Sequence, residues 1–310
     1  MGASAAGRGW LRPWWWERQD DPNDAACTPS ARPAATVVPA GALPDVAGLV
    51  APPNTTHREV AVTGTLGGGP LALVDPRGAV QVQGRTWSLD WLIGADDGWH
   101  APARTAAVRR RTIEGVPVIE TEVRAPGGSF THRVFAAVGP DGADVVVVEV
   151  RNDTPVAGAV AFAVRPFTTT GVGRVGSVEL SDTTVLVDGE AAVALPRPPG
   201  RWAGGDAVQG DSALVVLAGE AAEPPATPMR CAAGLANAAF VLPVPHTATA
   251  RVVLAVTGAV AAPAALPPLD NVVSGWRGQL DRGARVLLPA GVLADRVREA
   301  TAAVLLTAAD

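Results

Sequence analysis

From Glu59 to about residue 258 the chain repeats one pattern, a short run of alternating apolar residues followed by a tight-turn signal. Val60 and Val62 alternate ahead of Gly67-Gly68-Gly69. Leu71 and Leu73 then lead into Asp75-Pro76-Arg77-Gly78, and Val80 and Val82 resume beyond it. Proline presets φ and glycine closes such a turn, so the segment reads as a hairpin. Val116 to Val123 and Phe130 to Val138 flank Pro126-Gly127-Gly128. Val185 to Val187 and Val193 to Leu195 flank Asp188-Gly189, a favoured two-residue hairpin connection. Further strands are expected at 143–150, 158–166, 213–218, 237–242 and 250–257. About a dozen short strands with no long helical pattern among them predict a mainly β chain, a large antiparallel β-sandwich rather than βαβ units.

The sandwich is expected over 58–258, between two different kinds of text. Residues 1–57 are an Ala-, Pro- and Arg-rich arm in which Pro29, Pro33, Pro39, Pro44, Pro52 and Pro53 interrupt any period. The arm carries the cluster Trp14-Trp15-Trp16, whose indoles suit burial, a sugar ring or a membrane interface. Residues 259–310 are a linker and a helical segment. Residues 259–268 are rich in Ala and Pro, Asn271 to Gly283 suit a short helix, and Leu293, Val297, Ala300 and Val304 recur at the helical period. Asp295, Arg296, Arg298 and Glu299 are expected on the opposite, polar face. The pattern runs to Asp310 without a closing glycine, as though the helix's partners lay elsewhere. Such a helix is marginal alone and needs an apolar groove in this chain or another.

Charge and composition remove whole function classes. The net charge of −5 argues against nucleic acid, and Arg109-Arg110-Arg111 is too short a basic run to reverse that; it suits a solvated strand or turn. All 25 basic residues are Arg and there is no Tyr, so P-loop, Schiff-base and tyrosine-acid chemistry lack their side chains. Cys27 and Cys231 have no Cys or His within three or four residues, which predicts no zinc site and two reduced, inert thiols, a single disulfide being open only to an exported protein; no metal and no cofactor are expected. Residues 1–30 lack the apolar stretch of a signal peptide, and no apolar run spans a membrane, so a cytoplasmic location is expected.

The segments with chemical content are Trp87-Ser88-Leu89-Asp90-Trp91 and Asp96-Asp97-Gly98-Trp99-His100. Strand alternation puts Trp87, Leu89 and Trp91 on one face and Ser88 and Asp90 on the other, with Trp99 and His100 in a following loop. Core bulk, a domain interface and sugar contact remain as readings of Trp87, Asp90, Trp91, Trp99 and His100. Asp90, Asp96, Asp97, Glu120 and Glu122 are the carboxylates for a glycosidase-type pair, although acids on strands usually sit on the solvated face. His57, His100, His132 and His246 have no G-x-S-x-G elbow to serve. Gly171 to Gly176 matches G-x-G-x-x-G in form, but Val178 to Leu180 continue as strand where a dinucleotide site needs a helix.

A resemblance rests on Gly64-Thr65-Leu66-Gly67 followed by Leu71 to Gly78, on Trp87 to Trp91 and Gly98-Trp99, and on Trp276-Arg277-Gly278-Gln279-Leu280 with Gly283 and Leu287-Leu288-Pro289. These segments in this order resemble the front end of bacterial six-hairpin glycosidases, the (α/α)6-barrel hydrolases related to glucoamylases and glycogen-debranching enzymes. The resemblance implies an N-terminal sandwich, a linker, and Leu293 to Thr307 as the first barrel helix. The catalytic carboxylates of that group come from barrel loops beyond this sequence, so no catalytic residue is carried over. What it implies here is a non-catalytic supporting domain, from a truncated product or from a protein working with a separately encoded barrel. The alternative is a free-standing carbohydrate-binding module that stacks tryptophan on sugar, and an enzyme complete within these residues is a third class. An (α/α)6 domain in cis or trans and an oligosaccharide are the expected partners.

Overall fold

The computed structural model describes residues 60–307 except 106–107, 258–259, 284–285, 287 and 290. The expectations for the 1–57 arm, including its tryptophans, Cys27 and His57, lie outside the described residues.

Along the chain the strands are Ala61–Thr65 (β1), Gly69–Val74 (β2), Val80–Val82 (β3), Ser88–Ala95 (β4), Gly98–His100 (β5), Val108–Thr112 (β6), Ile119–Ala125 (β7), Gly128–Val138 (β8), Asp144–Asn152 (β9) and Gly158–Arg165 (β10). They continue as Phe167–Thr168 (β11), Gly171–Val172 (β12), Ser177–Ser181 (β13), Thr184–Val187 (β14), Glu190–Ala194 (β15), Arg201–Gly205 (β16), Met229–Arg230 (β17), Asn237–Val244 (β18) and Thr249–Ala255 (β19). Three helices are described, Ser212–Leu217 (α1), Leu269–Leu280 (α2) and Val292–Thr307 (α3). The chain is therefore mainly β, with the expected helical end.

Two large antiparallel sheets dominate. The first runs β1-β2-β3-β4-β10-β18-β16, with β5 paired on β4; the second runs β17-β13-β14-β15-β19-β9-β8-β7-β6. The turn chemistry read from sequence sets several registers. Val187 pairs with Glu190 across Asp188 and Gly189, which both take positive φ, 53° and 82°, as a two-residue hairpin turn requires. Inward residues of both sheets, among them Trp91, Phe162 and Phe240 from the first and Phe130, Val148 and Leu254 from the second, form one buried cluster. That shared apolar cluster is the largest source of stability in the fold.

A second cluster lies on the other side of the second sheet, where Phe135, Val147 and Val253 meet Leu266 of the linker, Val273 and Trp276 of α2, and Ala302 and Leu306 of α3. The linker and both C-terminal helices thus cover that sheet in cis.

Three local expectations change. Residues 213–218 are not a strand: Asp211 accepts a hydrogen bond from the Ala213 amide at 3.0 Å and starts α1. A short apolar run such as Ser212–Leu217 has no decisive period, so its cap and its neighbours decide the structure. Trp99 and His100 are not in a loop. They form β5, a hairpin partner of β4 in the register Ile93↔His100, Gly94↔Trp99, Ala95↔Gly98. Finally, the stripe Leu293, Val297, Ala300, Val304 does not face the sheet. Leu293 and Val304 are 66% and 65% exposed, while Ala302 and Leu306 are 2% and 3% exposed against the core. Two residues along a helix are about 200° apart, so docking by 302 and 306 turns 300 and 304 outward. The helix is held at that rotation by Thr112 Oγ1 donating to Glu299 and by the Gly67 amide donating to Leu305 O at 3.4 Å. Glu299, expected on the solvated face, is consequently half-buried.

Candidate functional site

Trp87 and Trp91 point into the cluster shared by the two sheets, as alternation requires, and are 3% and 1% exposed. Their faces are closed to sugar and to any neighbouring domain; core bulk is the role their burial supports. Trp91 stacks on His132 of β8, ring centroids 4.5 Å apart, and donates its Nε1–H to Arg77 O at 3.0 Å. Gly78 sits against that pair with φ 95°, and a Cβ there would lie 2.6 Å from Trp91 Nε1. Trp99 is half-buried with its ring beside Gly94, and His100 Nε2 lies 2.7 Å from Asp97 Oδ1 near the surface.

Asp90 is not on a solvated face. It is 5% exposed on the outer side of β4, where α1 covers the sheet. There Arg165 of β10 donates to Asp90 Oδ2 at 2.8 Å and to Asp211 Oδ2, the residue that caps α1. The Trp91 amide donates to Asp90 Oδ1 at 2.8 Å, and the Phe167 ring lies 5.0 Å from the guanidinium carbon. Burial raises the Asp90 pKa against the opposing pull of Arg165. The Arg165 Nε and Ser212 Oγ, both buried, make no hydrogen bond among the described residues.

A second set of buried titratable groups comprises Asp75, in the turn after β2, and His132 of β8. Asp75, 6% exposed, accepts from the Arg77 and Ala79 amides at 2.7 and 2.9 Å through Oδ1, while its Oδ2 has no hydrogen-bond partner among the described residues. Burial, helped by the charge of Asp90, lifts its pKa to about 7. Burial alone drops His132 to about 3. Its Nδ1 and Thr121 Oγ1, cross-strand neighbours, are also unpaired among the described residues.

The third cluster was not singled out as such by the sequence. Across the outer face of the second sheet the registers Arg111↔Glu120, Glu120↔Arg133, Arg133↔Glu149 and Glu149↔Arg251 place five charges of alternating sign in one row over β6, β7, β8, β9 and β19. Glu120, 3% exposed, accepts from Arg111 Nε at 2.7 Å and from Arg133 Nε at 2.8 Å. Glu149 accepts from Arg251 Nε at 2.8 Å. So Glu120, like Asp90, is a buried acid on a strand, here enclosed by the arginines of the two neighbouring strands. The signal in the sequence was the Arg109-Arg110-Arg111 run on one strand and the alternating Glu120 and Glu122 on the next, but the row appears only once four registers are known. Asp96 and Asp97 occupy the exposed turn before β5, and Glu122 faces Arg109 across β6 and β7.

Gly171–Val172 leads through a bend into β13 rather than a helix, so the G-x-G-x-x-G segment lacks the geometry of a dinucleotide site. No group of three or more His, Cys, Asp or Glu residues placed to hold a metal occurs among the described residues. No described helix is long and apolar enough to cross a membrane. No protein-family model matches the sequence, and no curated protein matches it.

Proposed function

We propose that this chain is a non-catalytic β-sandwich domain of a carbohydrate-active protein, with the two sheets as its layers and α3 as the first helix of a helical barrel that it supports. The observation that carries the reading is the orientation of α3. The helix is anchored to the second sheet through Ala302 and Leu306, yet Leu293 and Val304 of its apolar stripe, 66% and 65% exposed, face outward. An outward apolar stripe on an anchored helix is the geometry that a second helical layer would cover. The resemblance to six-hairpin glycosidases supplies the identity of that layer. The acids of this chain support a buttressing role, because Asp90 and Glu120 are both committed to arginine pairs.

The test is co-purification with a helical-barrel domain encoded downstream of, or adjacent to, this sequence. A complex that raises the thermal midpoint of the chain, and that Leu293→Asp with Val304→Asp disrupts, is the expected result. A barrel domain that neither binds nor stabilises the chain would remove the proposal. For the Trp-stacking alternative, burial leaves Trp99 as the member of the trio nearest solvent, and a flat fluorescence titration with maltodextrins would end that reading.

A further inference from the structure

The two ends of the charge row on the second sheet are finished differently. At the Glu149 end, the spare Nη1 of Arg251 turns to the linker and donates to Pro263 O and Leu266 O, at 3.5 and 3.3 Å. That end is closed by backbone. At the Glu120 end there is instead a cleft of about 490 Å³ between β6, β7, β8 and the exposed side of α2. Its polar lining is Arg111, Glu120 and Arg133 from the sheet, Glu114 from the turn after β6, and Asp270 and Arg277 from α2. Arg133 uses only Nε for Glu120, and among the described residues neither of its Nη groups donates to another atom. Arg111 and Arg277 are also held from one side, by Glu120 and by Glu114, with their Nη1 groups left over.

The charges of this lining decide what fits. Three guanidiniums and three carboxylates sum to zero, so an anion gains from one set what it loses to the other. A hydroxyl both donates and accepts, and gains from both sets. Ile113, Leu269 and Val273 complete the wall with aliphatic surface suited to the C–H faces of a sugar ring. The volume lies within the usual range of roughly 300 to 1,000 Å³ for small-molecule sites. Glu120 is the buried, hydrogen-bonded group that fixes the geometry of the two arginines before any ligand arrives.

We infer that the cleft under α2 is a binding site for a neutral, polyhydroxylated ligand, recognised by the spare ends of Arg111, Arg133 and Arg277 together with the Glu114 and Asp270 carboxylates. The inference extends the carbohydrate reading given above but uses different groups, since nothing in the cleft belongs to the exposed stripe of α3.

Isothermal titration of the full chain with maltohexaose, cellohexaose and xylohexaose tests it, with hexagalacturonate and inorganic phosphate as anionic comparators. At least one neutral hexaose is expected to bind saturably at millimolar ligand or below and more tightly than either anion. Ser274→Trp places a bulky side chain in the cleft from the exposed face of α2; it should weaken binding roughly tenfold or more with the thermal midpoint unchanged. Arg133→Gln should weaken binding as well. No heat from any neutral hexaose, binding undiminished in Ser274→Trp, or preference for an anion would each overturn the inference. Loss of sugar binding in Ser274→Trp with barrel association intact would separate this site from the docking role of α3.

Discussion

Arg165 and Glu120 are mirror images of one another. Each is a buried charge held between two partners of opposite sign, Arg165 between Asp90 and Asp211, and Glu120 between Arg111 and Arg133. In the first triad all three side chains are sealed, at 2%, 7% and 3% exposure; in the second the carboxylate is at 4% but its arginines are at 68% and 26%. The difference follows from what lies above each sheet. α1 is capped by Asp211 itself and closes directly over the first triad, whereas α2 stands off the second and leaves a cleft. A sealed triad can only specify structure, because water and ligand are both excluded. An open one has a fixed core and available ends, which is what a binding site needs.

The largest effect expected is on the sealed side. Arg165→Ala strands two buried carboxylates and should cost about 3–5 kcal/mol, seen as a lowered urea midpoint. Arg133→Ala leaves Glu120 with Arg111 and access to water, and should cost about 1 kcal/mol. Equal losses from the two substitutions would show that the two triads do not differ in how they are sealed.

The buried carboxyl of Asp75 makes stability depend on pH. Asp75 carries a pKa of about 7 in the folded chain against 3.8 as its ordinary value. Between those values the unfolded chain has released the proton and the folded chain has kept it, so this group lowers stability as pH rises, and its effect levels off above about 7. Asp75→Asn keeps the acceptor for the Arg77 and Ala79 amides and removes the titration. Relative to the parent chain it should be near parity at pH 4 and more stable by up to about 4 kcal/mol at pH 7 and above. His132 acts in the opposite sense: its pKa of about 3 lies below the ordinary 6.5, so its contribution is lost as pH falls through that interval. Chemical denaturation of Asp75→Asn and the parent across that range measures the difference, and a pH-independent offset would refute the assignment.

What the sequence disclosed and what it withheld divide along the same physical line. The hairpins at Asp75 to Gly78 and Asp188-Gly189 were legible because a turn is specified by adjacent residues. Trp87 and Trp91 could be placed on one face of β4 because alternation is local too. The environment of a face is not local. Asp90 is buried where α1 covers its sheet, and Glu120 between arginines of the two neighbouring strands, and neither environment is written in the acid's own strand. The charge row needs residues 111, 120, 133, 149 and 251 brought together by four strand pairings. The expected strand at 213–218 is instead the helix Ser212–Leu217, because so short an apolar run carries too little period to override a capping aspartate tied to Arg165.

At the open triad, Arg111→Ala removes an arginine that is 68% exposed on the edge strand β6, and solvent screening leaves its pair with Glu120 worth at most about 1 kcal/mol. Because Glu120 retains Arg133, the expected change in stability is small, while the binding of a hydroxyl-rich ligand in the cleft should fall. That split between stability and affinity is the signature of an open triad, and Arg165, which no ligand reaches, offers no such split.

The smallest effect is expected on α3, where the sequence and the fold disagree most about which face matters. By periodicity Leu293 and Val304 belong to the apolar stripe, and a helix that used that stripe to dock in cis would lose about 2–5 kcal/mol on truncation there. Both side chains instead face water, at 66% and 65% exposure, so Leu293→Asp and Val304→Asp should change the thermal stability of the isolated chain by no more than about 0.5 kcal/mol each. A helix rolled onto its stripe would fail that test, because an aspartate would then be forced against Phe135 and Trp276. If the substitutions are silent in the isolated chain and disruptive only when a helical partner is present, the stripe is a surface kept for that partner, and the apolar periodicity of α3 describes an interface rather than a core.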